Sequence, residues 1–219
     1  RCQISEANRY YIRWSHQIKT PIAALRLLLE EEEPDRAAME GEIYRIEQYV
    51  EFALQYQRLE GGHKDLVFAH YSLESIVKKA LKKTGVLFRR TKLALELGNL
   101  QTDVLTDEKW LVFVLEQVLT NAVKYTRKGK ISIYLDPEKE KTLVVEDTGM
   151  GIRPEDLPRI FEWGYTGYNG RIKNRATGIG LALCRQTMEM LGHRISAKSE
   201  PGKRTCIYLD LAVDPVRDY

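Results

Sequence analysis

The chain has 219 residues, 43% of them hydrophobic and 30% charged, the balance of a soluble globular protein long enough for one large domain or two modest ones. Its 34 basic and 31 acidic residues leave a formal charge of +3, too even for a nucleic-acid binder, and no basic cluster interleaved with aromatics occurs. The three cysteines, Cys2, Cys184 and Cys206, are scattered without a CxxC pair or metal-ligand spacing, a pattern of inert thiols in a reducing compartment.

In chain order, residues 1 to about 60 contain no convincing strand, and their apolar positions repeat every seven. Ile4, Tyr11, Ile18 and Leu25 form one row, and Ala7, Trp14, Pro21 and Leu28 form a second row three positions on. These are a and d sites of a packed helical seam. The helix is expected to end near Glu33-Pro34, with Asp35 capping a second helix whose seam is Ile43, Ile46, Val50 and Ala53. A hairpin of two such helices cannot cover both stripes. Pairing with a second copy into a four-helix bundle is expected, the alternative being packing on the downstream domain.

Gly61-Gly62 punctuates the chain and divides a helical domain, 1–62, from a mixed domain, 63–219. Strands are predicted at Leu66–His70, Lys92–Leu97, Asp103–Thr106, Lys130–Leu135, Thr142–Glu146, Arg194–Ser199 and Thr205–Leu211. Helices are predicted at Leu73–Lys83, Glu108–Tyr125 and Gly180–Leu191. Because the strands come in hairpin pairs, the fold class is α+β: an α/β sandwich with a mostly antiparallel or mixed sheet. No apolar run approaches the ~20 residues of a membrane helix, and no signal peptide is visible. The chain opens on Arg rather than Met. The expectation is therefore a soluble fragment, with any membrane segment lying outside it.

Residues 14–22 read WSHQIKTPI. The heptad register points His16 away from the seam, where a nucleophile serving a large partner must be. Pro21 lacks an N–H and loosens the helix one turn away. Downstream, EQVLTNAVKYT at 116–126 gathers Gln117, Asn121, Lys124 and Tyr125 close to one helical face. Mg²⁺ on phosphates keeps most of its waters, so a single amide oxygen from Asn121 suffices to hold it. Lys124 can meet phosphate charge, and Tyr125 can line a base or ribose pocket.

VEDTGMGI at 145–152 ends an apolar strand on Asp147, with Gly149 and Gly151 following. A carboxylate there can accept from the exocyclic amine of adenine, and the glycines allow close backbone approach. ATGIGLAL at 176–183 sets Gly178 and Gly180 before a helix, where free N–H groups receive phosphate. Each segment has an ordinary structural reading too: a surface histidine, a polar helix rim, a strand-ending turn and a helix start.

Together and in this order they resemble a known family. HQIKTP resembles the phosphoacceptor box of two-component sensor histidine kinases, usually H-E-x-[KR]-[TN]-P, matched at His16, Lys19, Thr20 and Pro21 but not at Gln17. WSHQIKTPI resembles the membrane-anchored subgroup that senses cell-envelope stress and antimicrobial peptides. The three downstream segments resemble the N, G1 and G2 boxes of the histidine-kinase ATP domain, a Bergerat-type sandwich. FEWGYTGYNGRIKNRATG, beginning at Phe161, resembles its ATP lid, and SEPGKRTCIYLDL its closing hairpin.

The resemblance implies autophosphorylation of His16 by Mg-ATP and transfer to an aspartate of a response-regulator receiver domain. It implies a homodimer through the helical hairpin and the cytoplasmic part of a bacterial membrane protein. The implied catalytic residues are His16, Gln17 and Thr20. The implied ATP site is Gln117, Asn121, Lys124, Tyr125, Asp147, Gly149, Gly151, Phe161, Thr177, Gly178, Ile179, Gly180 and Leu181, with Asn121 as the metal ligand.

Departures from the family pattern are Gln117 for an Asn, Ala176 for a Gly, Arg204 for a Gly and Gln17 for an acid. The last matters most, because an amide orients a ring but cannot take its proton. Two rivals are weighed. A gyrase- or Hsp90-like ATP hydrolase needs a catalytic Glu four residues before Asn121, where Gln117 stands. A phosphatase-biased or non-catalytic adaptor would use Gln17 and Thr20 to position water.

Overall fold

The computed structural model describes residues 2–31, 35–60, 66–167 and 178–212. They form two compact units, Arg1–Gly62 and His63–Tyr219.

The first unit is a hairpin of α1 (Cys2–Leu29) and α2 (Arg36–Glu60). Asp35 Oδ1 accepts from the Ala38 amide at 3.1 Å, the cap expected from sequence. The indole N–H of Trp14 donates to the Tyr49 carbonyl at 2.7 Å, which ties the two helices together two residues before His16. On α1, Pro21 is buried and Trp14, Ile18, Leu25 and Leu28 are half-buried, while Lys19 and Thr20 are exposed. Helix α1 continues through Pro21 without a break and ends at Leu29, earlier than expected; residues 32–34 lie outside the described residues. So do the side chains of Ile4, Ala7, Tyr11, His16 and Gln17.

The seam predicted for α2 is only partly covered within the hairpin. Ile43 and Val50 are 44% and 42% exposed, whereas Tyr49, Phe52 and Tyr56 are buried. Ile46 and Ala53 are half-buried. Apolar residues occupy more than one face of α2, and the aromatic row goes inward because it removes more area from water.

The second unit opens with β1 (Ala69–Ser72), α3 (Leu73–Arg90), β2 (Ala94–Leu97), β3 (Asp103–Thr106) and α4 (Glu108–Tyr125). Next come β4 (Lys130–Leu135), β5 (Thr142–Asp147), α5 (Gly180–Met190), β6 (Arg194–Glu200) and β7 (Arg204–Asp210). Strands β1 and β3 form a small antiparallel pair. The main sheet has the order β2-β4-β5-β7-β6, with β2 parallel to β4 and the other neighbours antiparallel.

Helix α4 packs against α3, α5 and β5, and α5 also packs on β6. Leu111, Leu115 and Leu119 of α4 meet a sheet face carrying Ile131, Ile133, Leu143 and Leu209, all fully buried. This is the α+β sandwich the sequence led us to expect.

Most boundaries of the second unit fall within one or two residues of expectation, and the two larger differences have local causes. The first strand begins at Ala69 rather than Leu66, because the Val67 amide donates to Asp107 Oδ2 at 2.9 Å instead of entering a ladder. Val67 and Phe68 stay 64% and 46% exposed. Helix α3 runs past Lys83 to Arg90 despite Gly85. Buried Thr84 donates its hydroxyl to the Ala80 carbonyl at 2.9 Å, and packing at that turn outweighs the ~1 kcal/mol cost of a helical glycine.

Candidate functional site

Helix α4 is set by its cap. Asp107 Oδ1 accepts from the Lys109 and Trp110 amides at 2.9 and 3.3 Å. From that start its inner face is Leu111, Leu115, Val118, Leu119 and Ala122, all buried. Gln117 is buried as well, at 7% exposure, so it stands below the surface rather than on the rim. Asn121, Lys124 and Tyr125 are half-buried along the last turns. The Lys124 ammonium lies 5.1 Å from the Tyr125 ring centroid, and burial raises the pKa of the Tyr125 hydroxyl.

The end of α4 is stitched to the end of β5. Thr126, in extended backbone, closes the helix with its amide on the Ala122 carbonyl. The Met150 amide donates to the Tyr125 carbonyl at 3.2 Å. Thr126 Oγ1 donates to Asp147 Oδ1 at 3.1 Å, and the Gly149 amide donates to the same oxygen at 2.9 Å.

Asp147 is 7% exposed, between Ile131 and Thr205 on the neighbouring strands. Burial lifts its carboxyl pKa to about 6, with the two hydrogen bonds pulling the other way. The sequence reading assigned no role to Thr126. The signal available was a hydroxyl residue directly after a helix end, which points to a partner only once β5 is placed beside it.

Gly149 has no room for a side chain: a Cβ there would sit 2.5 Å from Asp147 Oδ1, 2.6 Å from the Tyr125 carbonyl and 2.8 Å from Thr126 Oγ1. Gly151 adopts φ +66°, and its Cβ would collide with the Glu200 carbonyl. The loop is held further by the Ile152 amide on Ser199 Oγ at 2.8 Å and the Gly202 amide on the Met150 carbonyl at 2.8 Å.

Phe161 is half-buried in the turns after a 3₁₀ segment at Leu157–Arg159. Here Tyr165 donates to Asp156, and the Arg159 guanidinium lies 4.2 Å from the Tyr165 ring centroid. Gly178, at φ +68°, accepts from the Gly164 amide at 2.9 Å. Ile179 then starts α5 without any side-chain cap, while Gly180 and Leu181 are half-buried in the first turn. The start of a helix is where an anion is favoured by backbone amides and the helix dipole. Thr177, Gly170, Arg171, Lys173 and Arg175 lie outside the described residues, as do Gly61 and Gly62.

The structure thus brings Asp147, Gly149 and Thr126 together at the α4 terminus that also carries Asn121, Lys124 and Tyr125. A surface hollow of about 370 Å³ opens elsewhere, along the first turns of α3 beside Ser72, Ser75 and Lys82, and contains none of these residues.

A profile described as "Histidine kinase-, DNA gyrase B-, and HSP90-like ATPase" matches residues 106–215. The chain is 36% identical over 201 residues to the sensor protein BceS of Halalkalibacterium halodurans, covering 90% of this chain and 60% of that protein. It is 33% identical over 205 residues to the sensor histidine kinase YxdK of Bacillus subtilis, covering 90% and 62%. It therefore spans about three fifths of the length of these curated relatives. Its fold is similar to that of histidine kinase ThkA, solved in complex with response regulator protein TrrA. There the TM-score is 0.71 at 20% identity, over 98% of this chain and 64% of the other.

Proposed function

The chain belongs to the histidine kinase-, DNA gyrase B- and HSP90-like ATPase family and its relatives are sensor histidine kinases, from which we propose an ATP-dependent protein histidine kinase that phosphorylates its own His16. The observation that carries the nucleotide half of this reading is the buried Asp147 carboxylate, its Oδ1 tied down by Thr126 and Gly149. With two donors on one oxygen, Oδ2 is left to accept from an exocyclic amine, as adenine requires. Asn121, Lys124 and Tyr125 on the adjoining helix end suit the sugar and phosphates.

Asn121 is the proposed Mg²⁺ ligand. Among the described residues no cluster of three His, Cys, Asp or Glu side chains would cage a metal. One half-buried amide suits an ion that keeps most of its waters. When bound, the ion supplies charge neutralisation at the β- and γ-phosphates.

In the proposed reaction a ring nitrogen of neutral His16 attacks the γ-phosphorus in line. The N–P bond forms as the bond to the β-phosphate oxygen breaks, ADP leaves, and the imidazole proton passes to solvent. The phosphoryl group then moves to a receiver-domain aspartate, forming an acyl phosphate and restoring His16. Positioning and charge neutralisation carry such a reaction, so Gln17, an amide, need only orient the ring. A hydrolase of the same fold would need a carboxylate to activate water where buried Gln117 stands.

A second copy is the proposed cover for the hairpin. Ile43 and Val50 are exposed seven residues apart on α2, with Leu54 four further on, and Ile22 and Leu29 are exposed seven apart on α1. Rows at that spacing fit a four-helix bundle. No described helix is long and apolar enough to cross a membrane. The proposed setting is the cytoplasmic part of a membrane sensor, and the proposed partner is a response regulator, as in the solved complex of ThkA with TrrA.

The test is incubation with γ-labelled Mg-ATP. We expect acid-labile label on the wild type, none on His16→Gln, and unchanged nucleotide affinity in that variant. Acid-labile label persisting on His16→Gln would overturn the assignment.

A further inference from the structure

We propose that Thr126 sets base specificity in the nucleotide site, its hydroxyl locking Asp147 Oδ1 so that Oδ2 alone faces the purine amine. The inference rests on the reading of Asp147 as the adenine acceptor. It concerns a residue that touches the carboxylate, not the nucleotide, and is therefore a positioning residue.

A carboxylate at a strand end can rotate about its last torsion, a broad and nearly two-fold one. Two donors converge on one of its oxygens here, Thr126 Oγ1 at 3.1 Å and the Gly149 amide at 2.9 Å. The two differ in kind. The amide belongs to the loop following Asp147 and moves with it. Thr126 belongs to α4, whose last turn is fixed by its amide on Ala122 and by Met150 on the Tyr125 carbonyl. Thr126 therefore fixes the carboxylate directly to the helix that carries Asn121 and Lys124, whereas the Gly149 amide reaches that helix only through Met150 on the Tyr125 carbonyl.

Thr126 is 3% exposed, with φ −108° and ψ 112°. A β-branched residue suits that extended backbone, and its buried hydroxyl has this carboxylate as its partner. Gly149 fills the remaining space, since any Cβ would displace Thr126 Oγ1 and Asp147 Oδ1 together.

The hydroxyl acts on charge as well as direction. A donated hydrogen bond favours the ionised carboxyl, opposing the desolvation that raises its pKa. Among the described residues, its partners on the neighbouring strands, Ile131 and Thr205, are uncharged. The charged neighbour acting on Asp147 is Glu146 of the same strand, whose field also raises the pKa. An ionised, fixed Oδ2 accepts from an amine and repels the carbonyl that guanine presents at the same place. Without the lock, the carboxyl can turn, take up a proton and donate.

The experiment is calorimetric titration of ATP and of GTP, each with Mg²⁺, into the whole chain across pH values bracketing 6. Wild type, Thr126→Val, Thr126→Ser and Asp147→Asn are compared, with thermal melts confirming folding. For Thr126→Val we expect ATP binding weakened about five- to tenfold at neutral pH, the loss expected for one buried hydrogen bond. GTP binding should change less, and the pH midpoint for ATP binding should move upward. Thr126→Ser should restore all three.

Wild-type affinity, selectivity and midpoint in Thr126→Val would overturn the proposal, as would an equal loss for ATP and GTP at an unmoved midpoint. Asp147→Asn separates the two readings. If it leaves ATP affinity and selectivity intact, the adenine assignment fails and this one with it. If it weakens ATP binding while Thr126→Val does not, the role of Thr126 alone is lost.

Discussion

Burial pushes the carboxyl of Asp147 up to about 6, against 3.8 for a free aspartate. The folded protein holds that proton more tightly than the unfolded chain does. This contribution therefore favours folding below about pH 4 and is lost as pH rises through 6. His193 acts with the opposite sign. It is 2% exposed, with Nε2 3.1 Å from Thr106 Oγ1 and Nδ1 without a hydrogen-bond partner, and burial depresses its pKa from 6.5 to about 4. Its neutral form is accommodated above pH 6.5, and stability drops as pH falls from there toward 4.

The two slopes oppose each other over nearly the same interval. Asp147→Asn removes one of them. Relative to wild type we expect no stability difference near pH 4 and a gain rising to about 2–3 kcal/mol at pH 7, read by denaturant titration at several pH values. The same variant should bind ATP more weakly, which marks the carboxylate as a group kept for recognition at the expense of stability.

At the scale of elements, Asp107 holds two of them in place. Its Oδ1 caps α4, and its Oδ2 takes the Val67 amide that leads into β1. Asp107→Ala is expected to destabilise the second unit by about 2 kcal/mol, the upper part of the range for a cap. Hydrogen exchange should also quicken at Val67, a change that loss of a simple cap would not produce. Asp107→Asn should recover the cap but not the Val67 bond, since an amide offers a single acceptor oxygen.

This residue also explains what the sequence made legible. Helix α4 and strand β4 fall on their expected limits because Asp107, Thr126 and Gly129 punctuate them. The first strand slipped because Val67 and Phe68 look like strand residues, while a carboxylate forty positions away claims the Val67 amide. Periodicity on α2 counts rows without saying which one the hairpin itself buries, and that row is Tyr49, Phe52 and Tyr56. Asp147 and Gly149 were recognisable from strand-end chemistry. Thr126 was not, since its role exists only where two elements separated in sequence meet.

For the whole molecule, the exposed rows on the hairpin matter more than surface charge. The ion pairs Lys79–Glu108 at 2.6 Å and Lys83–Glu116 at 2.5 Å link α3 to α4, but solvent screening limits each to less than about 1 kcal/mol. Ile43, Val50 and Leu54 are a stronger feature if their cover is a second copy. Val50→Glu is then expected to turn a dimer into a monomer by light scattering, leaving ATP affinity in the second unit unchanged. A variant whose mass matches wild type would remove the bundle from the proposal.

The position of β5 within the sheet has a consequence during synthesis. It carries Asp147 at its end and lies between β4, made just before it, and β7, made well after it. While the ribosome has yet to release Arg204–Asp210, one edge of β5 has no neighbour, and the loop at Gly151 and Ile152 lacks the Glu200 and Ser199 contacts of the final hairpin. A nascent chain that stops short of Arg204 therefore lacks the neighbours that hold the Asp147 end of β5 in place. On the proposed nucleotide reading, making the β6–β7 hairpin is what renders the site competent, and a copy truncated before that hairpin stays silent.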